Sequence, residues 1–192
     1  MKRSLGAKTI LFPAPVLLVG TFGPEGRPNV MTAAWGGICC SKPPCVAVSL
    51  RAATASHGHI MERRAFTVSV PAQDQLEQVD FVGIVSGRSV DKFAVGGLTA
   101  VGSTLVDAPY VEECPLVLEC GVLHVVEIGL HTQFIGEILD CKADESVLGE
   151  NGIPVAGLVR PLVYAPTESA YYALGERLGE GFTVGRRLVA GD

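Results

Sequence analysis

Short apolar runs separated by glycine and proline dominate the sequence, and this pattern predicts many short β-strands. In residues 66–70 apolar and hydroxyl side chains alternate, which is typical of a strand with one buried face. Residues 15–22 and 29–34 flank a Gly-Pro-Glu-Gly turn and are predicted to form a hairpin. The other predicted strands are residues 45–50, 116–126, 130–140, 160–165 and 169–173.

Helices are predicted at three places between these strands. Thr54 is a candidate N-cap for a helix that runs to about residue 64. A second helix is predicted over residues 71–86, with Pro71 in its first turn and Gly87 as its left-handed end. Residues 90–93 predict a further helical turn. Because helices do not alternate regularly with strands, the order favours a mainly β fold, an antiparallel barrel with helical insertions, over a parallel sheet.

Composition narrows the class of protein. The chain is predicted to be one domain, residues 1–192, in which 48% of the residues are hydrophobic and 18% are charged. So much apolar surface excludes a disordered chain, and the low charge content suggests a surface covered by a partner or a cofactor. The net charge is −5 and lysines and arginines are not clustered, so we predict no nucleic-acid binding.

Targeting signals are also missing from the sequence. No apolar stretch reaches the roughly 18 residues of a membrane-spanning helix, and no signal peptide is recognisable. We therefore expect no membrane association and a cytoplasmic location, in which the six cysteines are reduced thiols.

The most informative segment is residues 29–51. It reads Asn-Val-Met-Thr-Ala-Ala-Trp-Gly-Gly-Ile-Cys-Cys-Ser-Lys-Pro-Pro-Cys-Val-Ala-Val-Ser-Leu-Arg, and Thr-Ala-Ser-His follows at residues 54–57. A strand with Asn-x-x-Thr-Ala, a loop of small residues, Pro-Pro and a strand ending in Ser-Leu-Arg resemble the flavin reductase-like, FMN-binding split-barrel family. Ser-Gly-Arg-Ser-Val-Asp-Lys-Phe at residues 86–93 and the segment 127–137 resemble later motifs of that family, most of all in its flavoredoxin and ferric reductase branch.

The resemblance covers nearly the whole chain and implies a fold and an activity. It implies a homodimer of Greek-key split β-barrels that binds FMN at or near the dimer interface. The implied activity is that of an FMN-dependent oxidoreductase, which passes electrons from NAD(P)H or a redox protein to a flavin, a ferric chelate or another acceptor. The alternative is an electron carrier or flavin-binding module without nicotinamide activity. We predict no catalytic acid or base, since the flavin ring itself performs the redox step.

The phosphate of FMN is a dianion that needs cations and hydrogen-bond donors. Arg51 follows a strand end, Thr54 and Ser56 stand at a helix start, and Lys92 lies between apolar neighbours. These four residues are therefore candidate phosphate ligands, and Lys92 is also a candidate for the flavin pyrimidine. The alternatives are a solvated charge for Arg51, an ordinary helix cap for Thr54 and Ser56, and an ion pair with Asp91 or another carboxylate for Lys92.

The flavin ring needs apolar walls, with donors at its pyrimidine edge. The candidates for these contacts are Asn29, Thr32, Trp35, His131 and Tyr164, and the resemblance adds Cys40, Ser49 and Leu50 to the cofactor-binding set. The alternatives are turn chemistry for Asn29, which follows a proline, a dimer-interface anchor for Trp35, and core packing for His131 and Tyr164.

Cys39 and Cys40 are adjacent on a predicted loop. A disulfide between neighbouring residues is strained, so they are not expected to bridge each other. They form a candidate site for a soft metal ion, and the alternative is two buried small hydrophobic side chains.

Overall fold

The computed structural model describes residues 1–188, which form a mainly β structure with a few short helices. Mainly antiparallel β structure is therefore confirmed. In chain order the elements are β1 Ala14–Pro15, β2 Leu17–Phe22, β3 Pro28–Ala33, β4 Gly36–Ser41, β5 Pro44–Arg51, α1 Ala55–Arg63, β6 Ala65–Val70, α2 Leu76–Ile84, α3 Lys92–Gly96, β7 Ala100–Gly102, β8 Pro109–Val111, β9 Leu116–Ile128, β10 His131–Ala143, α4 Ala156–Val159, β11 Leu162–Ala165 and β12 Ala170–Ala173.

Seven strands form one antiparallel sheet in the order β3-β2-β6-β9-β10-β5-β4. Its two edge strands, β3 and β4, follow each other in the chain and are separated only by Ala34 and Trp35. A link of two residues spans at most about 10 Å between the strand ends, so the two edges of the sheet must meet there. The sheet is thereby rolled into a barrel that is closed at this end of the strands.

The inside of the rolled sheet holds the main hydrophobic core, in which Phe66 and Phe134 are fully buried. Gly136 lies beside them, and a Cβ there would stand 2.6 Å from the Phe66 ring. The absence of a side chain at position 136 therefore lets β10 approach the ring closely. The other buried members are Leu17, Val19, Ala33, Val46, Val48, Leu50, Ile60, Val68 and Cys120.

A second core lies outside the barrel, where α2 and α3 cover β2 and β3. Val79 and Val82 of α2 pack there with Phe93 of α3 and with Leu18. Since successive residues of a strand face opposite sides, β2 supplies Leu17 and Val19 to the first core and Leu18 to the second. Burial on both faces explains why the first three residues of β2 are all apolar and do not alternate with polar ones.

Most of the predicted elements are confirmed, and several are longer than predicted. The hairpin of β2 and β3 is present, and the long β9–β10 hairpin turns at Gly129, whose φ is +52°. Thr54 caps α1 by accepting the His57 N–H, as predicted. Within residues 1–188, no helix combines the length and the apolar character that crossing a bilayer requires.

The predicted helix over residues 71–86 is wrong at both ends. Residues 71–72 are extended instead, because Ala72 bridges Pro161 and the Leu162 N–H donates to Pro71. The helix α2 begins only at Leu76 and ends at Ile84. Gly87 is outside the helix and does not adopt a positive φ, so it is not the left-handed helix end.

The loop predicted around the adjacent cysteines is also wrong, because residues 36–41 form strand β4. The residue types of this segment, mainly glycine and cysteine, do not favour a β-strand by themselves. The segment becomes a strand because it pairs with β5. Cys39 and Cys40 are both exposed on this strand, so they are not buried hydrophobic side chains.

One buried ion pair joins the neighbouring barrel strands β9 and β10 close to the β7–β8 hairpin. Glu119 of β9 is fully buried, and its carboxylate accepts a hydrogen bond from Lys142 Nζ of β10. Lys142 also contacts Asp140 at 3.2 Å and lies 5.9 Å from the centre of the Tyr110 ring on β8. A buried carboxylate is costly without its cation, so Lys142 stabilises this packing.

We expect Lys142→Ala to lower the free energy of unfolding by roughly 3 kcal/mol, because it leaves the Glu119 carboxylate buried without a cation. Urea denaturation at pH 7 measures this. Asp140→Ala is the matched control, since Asp140 is exposed and its removal should cost less than about 1 kcal/mol. Equal losses for the two variants would show that Glu119 does not depend on Lys142.

Candidate functional site

A cavity of about 310 Å³ lies between the barrel and the helices that cover it. Strand β3 supplies one wall, the link from β5 to α1 supplies a second, and the end of α2 with the segment after it supplies the third. The lining residues are Asn29, Met31, Arg51, Ala53, Thr54, Ala55, Ser56, Gly83, Ile84, Val85, Ser86, Gly87 and Lys92.

Lys92 is the most unusual side chain of this cavity. It is buried, and its Nζ donates to the Val82 carbonyl at 2.7 Å. Burial lowers the pKa of Lys92 to about 8. Among residues 1–188 no carboxylate forms an ion pair with it, and Asp91 instead accepts the Ala94 N–H as the cap of α3. The alternative of a Lys92–Asp91 ion pair is therefore wrong.

Asn29 is the second buried polar side chain of the cavity wall. Its Nδ2 donates to Thr21 Oγ1 at 3.1 Å and to Ser56 Oγ at 2.8 Å. Its Oδ1 is buried and has no hydrogen-bond partner among the described residues. A Cβ at position 87 would stand 1.9 Å from this oxygen, so Gly87 leaves the space that Asn29 fills. These contacts show that Asn29 is held within a strand and is not a turn residue.

The hydroxyl of Thr54 is already occupied within the protein. It donates to the Arg51 carbonyl at 2.9 Å and accepts the His57 N–H at 3.3 Å. Arg51 itself is exposed at the cavity mouth. Arg88 crosses the same rim, because its Nη1 donates to the Ala53 carbonyl at 2.7 Å. The cavity mouth therefore has two guanidinium groups.

The structure divides the predicted cofactor residues among three cavities. Asn29, Arg51, Thr54, Ser56 and Lys92 line the first cavity. Thr32 and Tyr164 line a cavity of about 260 Å³ that shares Gly83 and Ile84 with the first. Trp35, Ser49 and His131 line a third cavity of about 470 Å³, together with Ile128 and residues 8–11.

Strand β5 connects the first cavity with the third. Ser49 and Arg51 lie two residues apart and therefore face the same side of the strand, and His131 pairs directly with Arg51. Leu50 lies between them and faces the other side, where it belongs to the barrel core. Its side chain does not line any of these three cavities.

The two adjacent cysteines lie elsewhere. Cys40 pairs with Cys45 next to the β4–β5 turn, at the opposite end of β5 from Arg51. In the described part of the chain, no group of three or more histidine, cysteine, aspartate or glutamate side chains is placed to hold a metal ion.

The sequence-based candidates omitted several residues of the first cavity, namely Met31, Ile84, Val85, Ser86 and Gly87. Ser86 and Gly87 were part of the Ser-Gly-Arg motif, so their signal was visible in the sequence. Ile84 is the last residue of α2 and Val85 follows it, and both lay inside the longer predicted helix, so nothing in the sequence placed them at a cavity.

Comparison with solved structures shows close similarity to flavin proteins. Flavoredoxin of Desulfovibrio vulgaris (Miyazaki F) is 51% identical, with a TM-score of 0.92 over 96% of this chain and 100% of that chain. An FMN-binding protein from Thermus thermophilus, solved with bound 1-cyclohex-2-enone, is 28% identical, with a TM-score of 0.80 over 93% of this chain and 99% of that one.

Sequence comparisons agree. An uncharacterised protein of Archaeoglobus fulgidus is 39% identical over 113 residues, which are 59% of this chain and 64% of that protein. The family model described as a flavin reductase like domain matches residues 9–173. That match spans the barrel and all three cavities apart from a few residues at the chain ends. The chain therefore belongs to the flavin reductase-like domain family.

Proposed function

We propose that this chain binds FMN in the first cavity and uses it as an oxidoreductase. Electrons pass from NAD(P)H or from a reduced redox protein to a flavin, a ferric chelate or another acceptor. The observation that carries the proposal is Lys92, a buried cation with no carboxylate partner among residues 1–188, at a cavity that also holds Arg51. Two relatives described as a flavoredoxin and as an FMN-binding protein support the choice of FMN.

The charges of the cavity fit the phosphate of FMN. Burying an ammonium group without an opposite charge is unfavourable, and a bound dianion would remove that cost. Arg51 and the N-terminus of the nine-residue helix α1 add positive potential on the same side of the cavity. Ser56 at that terminus offers a hydroxyl donor. These groups favour a phosphorylated flavin over riboflavin.

The walls of the cavity fit the remaining parts of the cofactor. Met31, Ile84 and Val85 supply apolar surface beside the polar groups. Trp35 and His131 line the third cavity together with Ser49, which lies on the same face of β5 as Arg51, and we assign the isoalloxazine ring to that cavity. Bound FMN supplies the ring that accepts a hydride or single electrons, so the protein has to bind, orient and polarise it.

The proposed donor and cofactor predict a direct spectroscopic result. The purified protein should bind FMN one to one, more tightly than riboflavin, and anaerobic NADH or NADPH should bleach the flavin absorbance within seconds. Bleaching only by a reduced partner protein would assign an electron carrier instead. Failure of FMN to bind, measured by fluorescence titration of the FMN-free protein, would contradict the proposed cofactor.

We also propose that the chain forms a homodimer. Trp35 and Ile38 are exposed next to the barrel seam, and Val126, Ile128 and Leu130 are exposed on the β9–β10 hairpin. So many exposed large apolar side chains favour a protein partner, and a second copy is the partner that the family resemblance implies.

If the chain is a homodimer, its molar mass in solution should be twice the 20.1 kDa of one chain. Light scattering after size-exclusion chromatography measures this mass. Val126→Glu together with Leu130→Glu should shift the mass toward that of one chain, because two carboxylates would be buried in the interface. A wild-type mass of 20.1 kDa at micromolar concentration would contradict the homodimer.

The pKa of Lys92 predicts how stability depends on pH without FMN. The unfolded lysine, with a pKa of 10.5, still holds its proton at pH values where the folded one, at about 8, has lost it. The free energy of unfolding should therefore rise between pH 8 and pH 10, on the order of 2 kcal/mol, relative to Lys92→Met. Urea denaturation across this range measures the difference.

Lys42→Met is the matched control, because Lys42 is exposed at the β4–β5 turn. It should keep the wild-type rise, and saturating FMN should reduce the rise by holding the proton on Lys92. A Lys92→Met protein with the same rise as the wild type would show that Lys92 does not titrate in this way.

A further inference from the structure

Two cysteines lie directly opposite each other on neighbouring strands, away from the three cavities. Cys40 of β4 is the register partner of Cys45 of β5, one pair away from the β4–β5 turn. The Cα atoms of opposite residues in an antiparallel pair are about 4.5–5.5 Å apart, and a disulfide needs about 4.4–6.8 Å. The backbone therefore holds the two residues at a separation that a disulfide can span. We call Cys40 and Cys45 the cross-strand thiol pair.

A β-bulge brings a third cysteine to the same place. Ile38 pairs with Val46 and Cys40 pairs with Cys45, so Cys39 is one extra residue in β4 at this point. In such a bulge two residues oppose one residue of the neighbouring strand, here Cys45. Cys39 and Cys40 are not expected to bridge each other, because a disulfide between adjacent residues is strained. Of the two, Cys40 is the one in register with Cys45.

The two members of the cross-strand thiol pair differ in their access to solvent. Cys40 is exposed on the edge strand, whereas Cys45 is only 3% exposed. Burial raises the pKa of Cys45, and the charges of Cys40, Cys39 and Glu137 raise it further. Glu137 pairs with Cys45 from the other side, on β10. Cys40 is therefore the thiol of the pair that a reagent from solution meets first.

The remaining cysteines do not form a comparable pair. Cys114 and Cys120 are buried, and burial raises the pKa of Cys114 to about 12 and also raises the pKa of Cys120. Cys141 is exposed on β10, but its register partner is Leu118. Among residues 1–188, only the cross-strand thiol pair combines an exposed thiol with a second thiol in register with it.

We propose that the cross-strand thiol pair is a modification site, which a low-molecular-weight disulfide converts into a Cys40–Cys45 disulfide. The Cys40 thiolate attacks one sulfur of the reagent, and the other half of the reagent leaves as a thiolate. The Cys45 thiolate then attacks Cys40 Sγ and displaces the second half. The two cysteines lose two protons and two electrons, which the reagent takes up as it becomes two thiols.

This disulfide should be easily reduced again. It closes only the short loop of residues 40–45, and a disulfide across a short loop removes little entropy from the unfolded chain. It also lies at the surface beside the exposed Cys39, where an external thiol can attack it. The site is therefore expected to follow the ratio of disulfide to thiol around the protein.

The test uses oxidised glutathione as the probe and Cys39→Ser with Cys141→Ser as the background, in which Cys40 is the one exposed cysteine left. At about pH 8, where ordinary thiols are partly ionised, intact-protein mass spectrometry should show the loss of two hydrogen atoms and no bound glutathione. Adding Cys45→Ser should trap one glutathione on Cys40. Adding Cys40→Ser instead should prevent the reaction, because Cys45 is buried.

Three results would overturn the proposal. They are a lasting glutathione adduct on the background protein, a bond from Cys40 to a cysteine other than Cys45, and no reaction at all. None of these readouts involves FMN, so the proposed function stands or fails separately.

The wild-type protein supplies a second measurement that does not depend on the folding of any variant. Trypsin leaves residues 28–51 as one peptide, because Lys42 precedes a proline. In tandem mass spectrometry of this unreduced peptide, cleavage between residues 39 and 40 releases fragments only if the bridge begins at Cys40. We expect those fragments, and dithiothreitol should restore all six thiols of the chain. A Cys39–Cys45 bridge in the wild type would contradict the assignment of Cys40.

Discussion

The two-residue link between β3 and β4 is the constraint on which the rest of this structure depends. It joins the two edges of a seven-stranded sheet, so the sheet has no arrangement other than a rolled one in which those edges meet. Rolling gives the sheet an inner face that Phe66 and Phe134 fill, and an outer face that α2 and α3 cover. The three cavities all border on β3, β5 or the residues between β3 and β4.

The first cavity contains polar groups whose partners the described chain does not supply. Lys92 is buried with one carbonyl contact and no carboxylate, and Asn29 Oδ1 has no donor. Each arrangement costs stability in the empty protein, and the surrounding barrel and helices offset that cost. A bound anion would offset the cost of burying the Lys92 ammonium, and a phosphorylated flavin carries such an anion. Polar groups held ready in this way bind a ligand without further ordering cost.

Two residues of the first cavity shape it by positioning other residues. Thr54 uses its hydroxyl to hold the start of α1, and Gly87 leaves room for the Asn29 amide. Neither residue needs to touch a ligand in order to matter for binding. They fix where Ser56 and Asn29 stand, so they position the site.

The sequence predicted those features that depend on neighbouring residues. The strand at residues 66–70, the turn after β2 and the Thr54 cap all depend on a few adjacent side chains and appear as predicted. The single buried face expected from the alternation is wrong, because Thr67 and Ser69 are as fully buried as Phe66 and Val68. The predictions failed where distant partners decide. Residues 36–41 form a strand because β5 pairs with them, and residues 71–72 are extended because they pair near Pro161.

The sequence alone determined the antiparallel β character, the family resemblance and the residue types suited to a phosphate and a flavin ring. Only the tertiary structure decided which of those residues meet. Thr21, Asn29, Ser56 and His59 come from two strands and a helix, and no sequence spacing announces their contacts. Hydrogen-bond partners and burial depend on which segments the fold brings together, whereas strand and turn preferences depend on the local chain.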